Sequence, residues 1–248
     1  MSTHGFDIES LLRFEPARFL CERCCALLTQ VSTTGGRLLC PACGVEYVRD
    51  TYQDVDAYLQ SRGYGLQYRD LIHHSRELAL IAKQMRGALH TQRGEYPPMR
   101  GLLAAFAQAQ QFIHFTTYGI SALLLGAVKM AAFHVPVRGI ISGVRTDAML
   151  RELTTFQHES PYLDLRVIQQ DAQFFPHQKI IVIDGLLAFK GSANLTDFGW
   201  RKAEQGREVI ELVTQVADVV ELHNRFFSPV WAGFEPVLNG EKILMAKY

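Results

Sequence analysis

One stretch limits the fold more than any other: His177-Gln178-Lys179 leads into the apolar run Ile180 to Ile183, closed by Asp184-Gly185. Alternating polar and apolar positions followed by β-branched residues make a strand that enters a buried sheet, and a period of two sets His177 and Lys179 on one face. A turn at Asp184-Gly185 lets a second apolar strand, Leu186 to Phe189, return antiparallel. That return brings Gly191-Ser192 beside the His/Lys pair. Ser192-Ala193-Asn194 then reads as the start of a helix, whose first N–H groups and small polar side chains suit an anion. An imidazole, an ammonium and an anion-binding backbone together point to chemistry on phosphate.

The elements around this hairpin alternate. Leu102 to Ala109 reads as a helix, Phe112 to Thr117 as a strand, Ser121 to Phe133 as a helix and Val137 to Ser142 as a strand. A helix through Thr146 to Phe156 and a strand at Leu163 to Ile168 follow. After the hairpin come a helix to Ala203, a strand from Glu208 to Val213 and a closing amphipathic helix from Ala217 to Phe227, with Trp231 and Phe234 behind it. Such alternation predicts an α/β sheet, mostly parallel, covered on both faces. Tyr118 leaves the carboxyl end of the first strand, where open α/β sheets bind ligands, and either flanks a substrate or packs.

Upstream, Cys21-Glu22-Arg23-Cys24 and Cys40-Pro41-Ala42-Cys43 are two Cys-x-x-Cys knuckles fifteen residues apart. Four thiolates at this spacing suit a structural zinc ion in a ribbon, with no position left for water; a disulfide pair is the alternative. Cys25 is read as a bystander rather than a substitute ligand. Between the ribbon and the main domain, apolar residues from Tyr52 to about His90 recur at helical spacing, broken at Gly63-Tyr64-Gly65 into two helices. His73-His74 there is a solvated pair, because adjacent helical residues diverge by about a hundred degrees. Lys83, Arg86, His90, Arg93 and Arg100 form a basic stretch that touches a phosphate backbone or is merely solvated. The expected division is 1–50 for the ribbon, 51–98 for a helical connector and 99–248 for the catalytic domain.

Composition excludes little. Across 248 residues, 25 Lys plus Arg balance 25 Asp plus Glu, so no global charge argues for nucleic acid. Residues Gly101 to Val128 lack charge apart from His114, but glutamines, threonines and Gly119 interrupt them, so no membrane span is expected. The first sixteen residues lack the pattern of a secretory signal, which predicts a cytoplasmic protein.

The spacing His177-x-Lys179, four residues, Asp184, six residues, Gly191-Ser192-x-Asn194 resembles the HKD motif of the phospholipase D superfamily. The order of elements over about residues 100 to 235 is similar to one catalytic unit of that family. The resemblance implies a phospholipase D-like mixed sheet flanked by helices, and a metal-independent phosphodiesterase. In it His177 is the nucleophile that forms a covalent phosphohistidine, while Lys179 and Asn194 hold the non-bridging oxygens and Ser192 adds a hydroxyl. Glu208, after Gly206-Arg207, is the candidate to orient the histidine. Gly206 stands where the family usually has asparagine. Asp184 and Gly191 belong to the motif as structural members.

No second His-x-Lys occurs in the chain. Family members with one motif pair two copies around one site, so the resemblance implies a homodimer with His177 of both chains in one cleft. The expected substrate is DNA or RNA, cut by an endonuclease; a phospholipid phosphodiesterase or transferase, and a non-catalytic nucleic-acid-binding subunit, are the alternatives. The ribbon binds nucleic acid, contacts protein or staples the terminus.

Overall fold

The computed structural model describes residues 19–21, 24–28, 37–39, 42–43, 46–48, 76–85, 97–143, 147–160, 162–168, 179–233 and 244–246. The amino-terminal region contributes two short antiparallel pairs, β1 (Phe19–Leu20) with β2 (Leu27–Leu28) and β3 (Arg37–Leu39) with β4 (Glu46–Val48). A helix over 76–85, α1, buries Leu78, Ile81, Ala82 and Met85, an i, i+3, i+4, i+7 stripe. Of the expected connector this is the described part; His73-His74 and the break at Gly63-Tyr64-Gly65 lie outside the described residues.

The main sheet has seven strands: β5 (Ile113–Thr117), β6 (Val137–Ile141), β7 (Leu163–Ile168), β8 (Lys179–Ile183), β9 (Leu187–Gly191), β10 (Ile210–Val213) and β11 (Leu244–Ala246). Their order is β10-β9-β8-β5-β6-β7-β11. β5, β6, β7 and β11 run parallel, whereas β8, β9 and β10 join by antiparallel ladders. The sheet is therefore mixed, and the expectation of a mostly parallel one holds for only half of it. The reason is local: hairpin connections force antiparallel neighbours, and β8 to β10 are joined by short turns and one helix rather than by a crossover. β11, laid beside β7, is a strand that the sequence reading did not foresee.

Two directions of packing complete the core. Helix α2 (Pro98–Gln108) packs against both α3 (Ala122–Ala131) and α5 (Asp197–Glu204), while α4 (Asp147–Glu159) lies against β7. Trp200 of α5 meets Phe189 edge-on, at 5.6 Å between ring centroids. Phe115 lies across Gly139, its ladder partner, where a Cβ would come within 2.2 Å of the ring. On the other side, the closing helix is not continuous: α6 (Val216–Leu222) widens into a π-helical turn at His223–Phe227 before α7 (Ser228–Ala232). Trp231 is buried there, stacked on Phe227 at 5.3 Å and covered by the guanidinium of Arg166 at 3.6 Å. Phe234 lies outside the described residues.

The first cysteine knuckle is stitched to that π-helical turn. The Asn224 side chain accepts from Leu27 N–H at 2.7 Å and donates to the Leu27 carbonyl at 2.8 Å, as a neighbouring strand would. Ser228 Oγ donates to the Cys24 carbonyl at 2.7 Å.

Candidate active site

The motif folds into a hairpin whose two ends carry different groups. At the turn, Asp184 and Gly185 both adopt left-handed backbone, φ 55° and 68°, and Leu186 N–H closes the turn on the Ile183 carbonyl at 3.0 Å. Asp and Gly are the residues that tolerate such angles. The Asp184 carboxylate is fully buried and accepts from Gln110, Gln111 and Phe112 N–H at 2.9, 2.8 and 2.8 Å. It thereby fixes the entry to β5. The side chain expected to be structural is engaged in three backbone bonds that fix the sheet.

At the other end, Lys179 pairs with Gly191 across β8 and β9, and Gly191 pairs with Ile210 across β9 and β10. Gly191 permits this closeness: a Cβ there would lie 1.9 Å from the Val209 carbonyl oxygen. Next in sequence, Ser192 N–H donates to that same carbonyl at 3.0 Å, and Ser192 Oγ accepts from Val209 N–H at 3.0 Å. The Ser192 hydroxyl in turn donates to the Glu208 carboxylate. Glu208 acts on Lys179 as well: burial pushes the ammonium below its usual pKa range, and the carboxylate opposes that shift.

Ser192-Ala193-Asn194 does not begin a helix. Helix α5 starts at Asp197, capped by Thr196, whose hydroxyl accepts from Gly199 N–H at 3.0 Å. The Ser192 N–H is consumed by β10, so the anion-binding helix start expected from the sequence is replaced by an irregular loop. Asn194 sits in that loop, and its Oδ1 accepts from Tyr118 N–H at 3.3 Å. Thr117 tightens the same junction, donating from Oγ1 to the Gly119 carbonyl at 2.8 Å and accepting from Leu195 N–H at 2.9 Å. Tyr118 is half-buried, and its carbonyl and ring close over Gly143. The strand-end position expected for it holds, with backbone contacts to Asn194 and packing on Gly143.

Lys179, Gly191, Ser192, Asn194 and Glu208 are thus brought together at the carboxyl ends of β5 and β9 and the starts of β8 and β10. His177 lies outside the described residues. A groove of ≈ 670 Å³ runs along β10, reaching Lys179 and Gly191 at its edge; its walls mix Leu222 and Phe226 with the paired Lys190 and Glu211, whose side chains are one residue out of phase with Lys179 and so lie on the opposite face of the sheet.

Of the expected zinc ligands, Cys21, Cys24 and Cys43 have their sulfurs within 4.8 Å of one another, and Cys40 lies outside the described residues. No disulfide joins these three cysteines to one another. The Cys21 and Cys43 sulfurs are 3.6 Å apart; two sulfurs each about 2.3 Å from one tetrahedral ion lie roughly 3.8 Å apart. The residues fit the ion.

A second buried group went unrecognised in the sequence. His114, on β5, and His223, in the π-helical turn, bond ring to ring at 2.8 Å (Nδ1 to Nε2). Burial holds both imidazoles neutral, lowering His114 well below its usual value and His223 to about 4. Neither has a spacing that marks it, since the two are more than a hundred residues apart in the chain.

With this geometry in view, residues 102–231, just over half of the chain, match the family model described as "Cardiolipin synthase, PLD-like domain". Three solved structures are similar. Nuc from Salmonella typhimurium, a phospholipase D family member, matches over 50% of this chain and 80% of its own at 21% identity and a TM-score of 0.40. NucT from Helicobacter pylori matches over 54% and 87% at 16% and 0.41. TrmBL2, an archaeal chromatin protein with a novel mode of DNA binding, matches over 82% and 77% at 14% and 0.40. No curated protein sequence matches the chain. The chain belongs to the phospholipase D-like family, and that membership supports phosphodiester chemistry as its class of activity. No helix among the described residues is long and apolar enough to cross a membrane.

Proposed function

We propose that the protein is a metal-independent phosphodiesterase that cuts DNA or RNA through a covalent phosphohistidine on His177. One observation carries the reading: an ammonium, an amide and a carboxylate are gathered at the strand ends around Gly191. Lys179 supplies positive charge to the non-bridging oxygens as the phosphorus becomes pentacovalent. Asn194, its oxygen occupied by Tyr118 N–H, has its amide N–H groups to offer the same oxygens. Glu208 orients the His177 ring. Ser192, whose proton goes to Glu208, works by positioning that carboxylate.

Hydrolysis needs a second acid–base group opposite the nucleophile, to protonate the leaving oxygen and then activate water. A homodimer supplies it as His177 from a second copy, two-fold related. Cys21, Cys24, Cys40 and Cys43 hold a structural zinc ion, which plays no part in the reaction.

The test is incubation with plasmid, single-stranded DNA, RNA and phospholipid vesicles, each with and without EDTA, beside His177→Ala. Nucleic-acid cleavage that survives brief chelation and is abolished in His177→Ala is the expected result, and Lys179→Met is expected to lose roughly 10²–10³-fold. Turnover unchanged in His177→Ala would end the proposal. Cleavage of phospholipid alone would replace the substrate, and a monomer by light scattering at assay concentration would remove the shared site.

A further inference from the structure

Helix α5 is framed by the site at both ends. It begins just after Asn194, and past its last turn a left-handed glycine returns the chain toward Glu208. There Gly206, at φ 71°, donates its N–H to the Ala203 carbonyl at 3.0 Å, and Arg207 N–H donates to the Lys202 carbonyl at 2.8 Å. This pair of bonds closes the helix and sets the Arg207 backbone beside Lys202. The helix lies on the face of the sheet that carries Lys179. That residue alternates with Ile181, whose ladder partner Phe189 meets Trp200 of α5, and the four side chains line one small hollow.

Gly199 and Trp200 are buried, whereas Phe198, in the first turn, is 66% exposed. One such ring on a surface is ordinary; its company is what matters. Lys202, one turn on, places its ammonium 4.4 Å from the centroid of the Phe198 ring. Arg201, beside Lys202, and Arg207 are exposed as well. Lys129, Lys190 and Arg225 each pair with a carboxylate, but among the described residues none lies within ion-pair distance of Arg201, Lys202 or Arg207. In a chain whose 25 cations balance 25 acids, this is a local surplus of positive charge around an uncovered ring. An ammonium on one side of a ring leaves the other π-face for a flat partner. A nucleic-acid strand brings flat bases and regularly spaced anions together, whereas a second copy of the chain seated here would set like charges against one another.

We propose that Phe198, Arg201 and Lys202 form a stacking platform beside the site, on which an unpaired base of a single-stranded substrate lies while the adjoining phosphates meet the two cations. The proposal rests on the nucleic-acid reading above and sharpens it to one substrate class. A base inside a duplex has both faces covered by its neighbours and is closed to a side-chain ring, so the platform serves a single strand or a splayed end. Every base has a π-face, so the contact is indifferent to sequence. It holds the strand across α5 while the scissile phosphate is at Lys179.

The test is fluorescence anisotropy on the full chain carrying His177→Ala, so that bound strands stay whole, with three labelled probes of equal length: oligo(dT), an abasic strand with the same phosphates, and a duplex. Oligo(dT) is expected to bind at least about tenfold tighter than the abasic strand. Phe198→Ala should erase that difference and leave the affinities for the abasic strand and the duplex as they were, and Phe198→Trp should restore it. Arg201→Met with Lys202→Met should weaken both single strands and flatten their salt dependence. Equal affinity for oligo(dT) and the abasic strand, a difference that survives Phe198→Ala, an equal loss on the duplex, or no binding of any probe would each overturn the platform. Conversion of a dimer to a monomer by Phe198→Ala in light scattering would also overturn it, assigning the ring to the contact between copies. Cleavage by the parent chain is read separately: base-dependent binding without cleavage would remove the nuclease and keep the platform, and cleavage without base-dependent binding would do the reverse.

Discussion

Strand β8 carries a charged residue at each end, and the two are treated in opposite ways. Lys179 is half-buried at the rim of the groove, opposite a glycine, and its ammonium is held below its usual pKa range by partial burial. Asp184 is wholly buried and surrounded by backbone N–H groups that it satisfies. Both belong to one sequence motif. One end is left partly exposed at the rim of the sheet, and the other is closed to hold the first strand in register. A motif therefore mixes chemistry with architecture, and charge alone does not tell them apart.

The difference is sharpest if the closed end is broken. Asp184→Ala strips three backbone donors of a charged acceptor, and each such bond is worth about 1.5–3 kcal/mol, so a loss of roughly 5 kcal/mol in urea unfolding is expected. Asp184→Asn tolerates the left-handed angle but keeps a single neutral acceptor, and should recover only part of the loss. A change under about 1 kcal/mol for Asp184→Ala would show that the turn, and not the carboxylate, fixes the strand entry.

Acid probes the interior between the two ends. His114 and His223 have depressed pKa values when folded, so the unfolded chain binds protons first as pH falls below about 6.5. The contribution of His223 is fully present above that pH and is lost progressively down to about 4, where it titrates in the folded protein, and that of His114 is likewise lost as pH falls. Arg138, Asn224 and Cys25 face this pair, and the guanidinium deepens the shift. For His223 the loss amounts to about 3 kcal/mol. Denaturant midpoints measured from pH 7 to pH 4 should fall, and His223→Gln should flatten that fall; an unchanged slope would remove the pair from the account.

The smallest effect on stability belongs to the open end. Lys179→Met keeps the length of the side chain and removes the charge at a half-exposed position, so unfolding free energy should shift by less than about 1 kcal/mol. A large loss would make Lys179 architectural, like Asp184.

Much of the sheet was legible in the chain. The runs at Ile113–Thr117, Val137–Ile141 and Leu163–Ile168 are apolar, short and separated by helical patterns, and each forms its strand. The hairpin was legible because Asp184-Gly185 is a turn whose angles few other pairs accept. The start of α5 was misread: Ser192 and Asn194 have the chemistry of helix caps, but Ser192 is claimed by β10 and the cap falls to Thr196. Propensity is local, and a competing strand edge overrides it. That Cys25 lies beside His114 and His223 was not legible, because nothing near the cysteine in sequence points to either histidine.

The sequence by itself determined the period-two strands, the turn and the spacing that gathers motif residues at one sheet end, since each depends on neighbours within a few residues. Tertiary structure alone decided that Asp184 serves the entry to β5, that Ser192 addresses Glu208, and that the first knuckle rests on a π-helical turn. Those outcomes depend on which backbone donors and side chains remain unpaired once distant strands align. Hydrogen-bond satisfaction in a closed interior is a property of the assembled chain, and no short window of residues contains it.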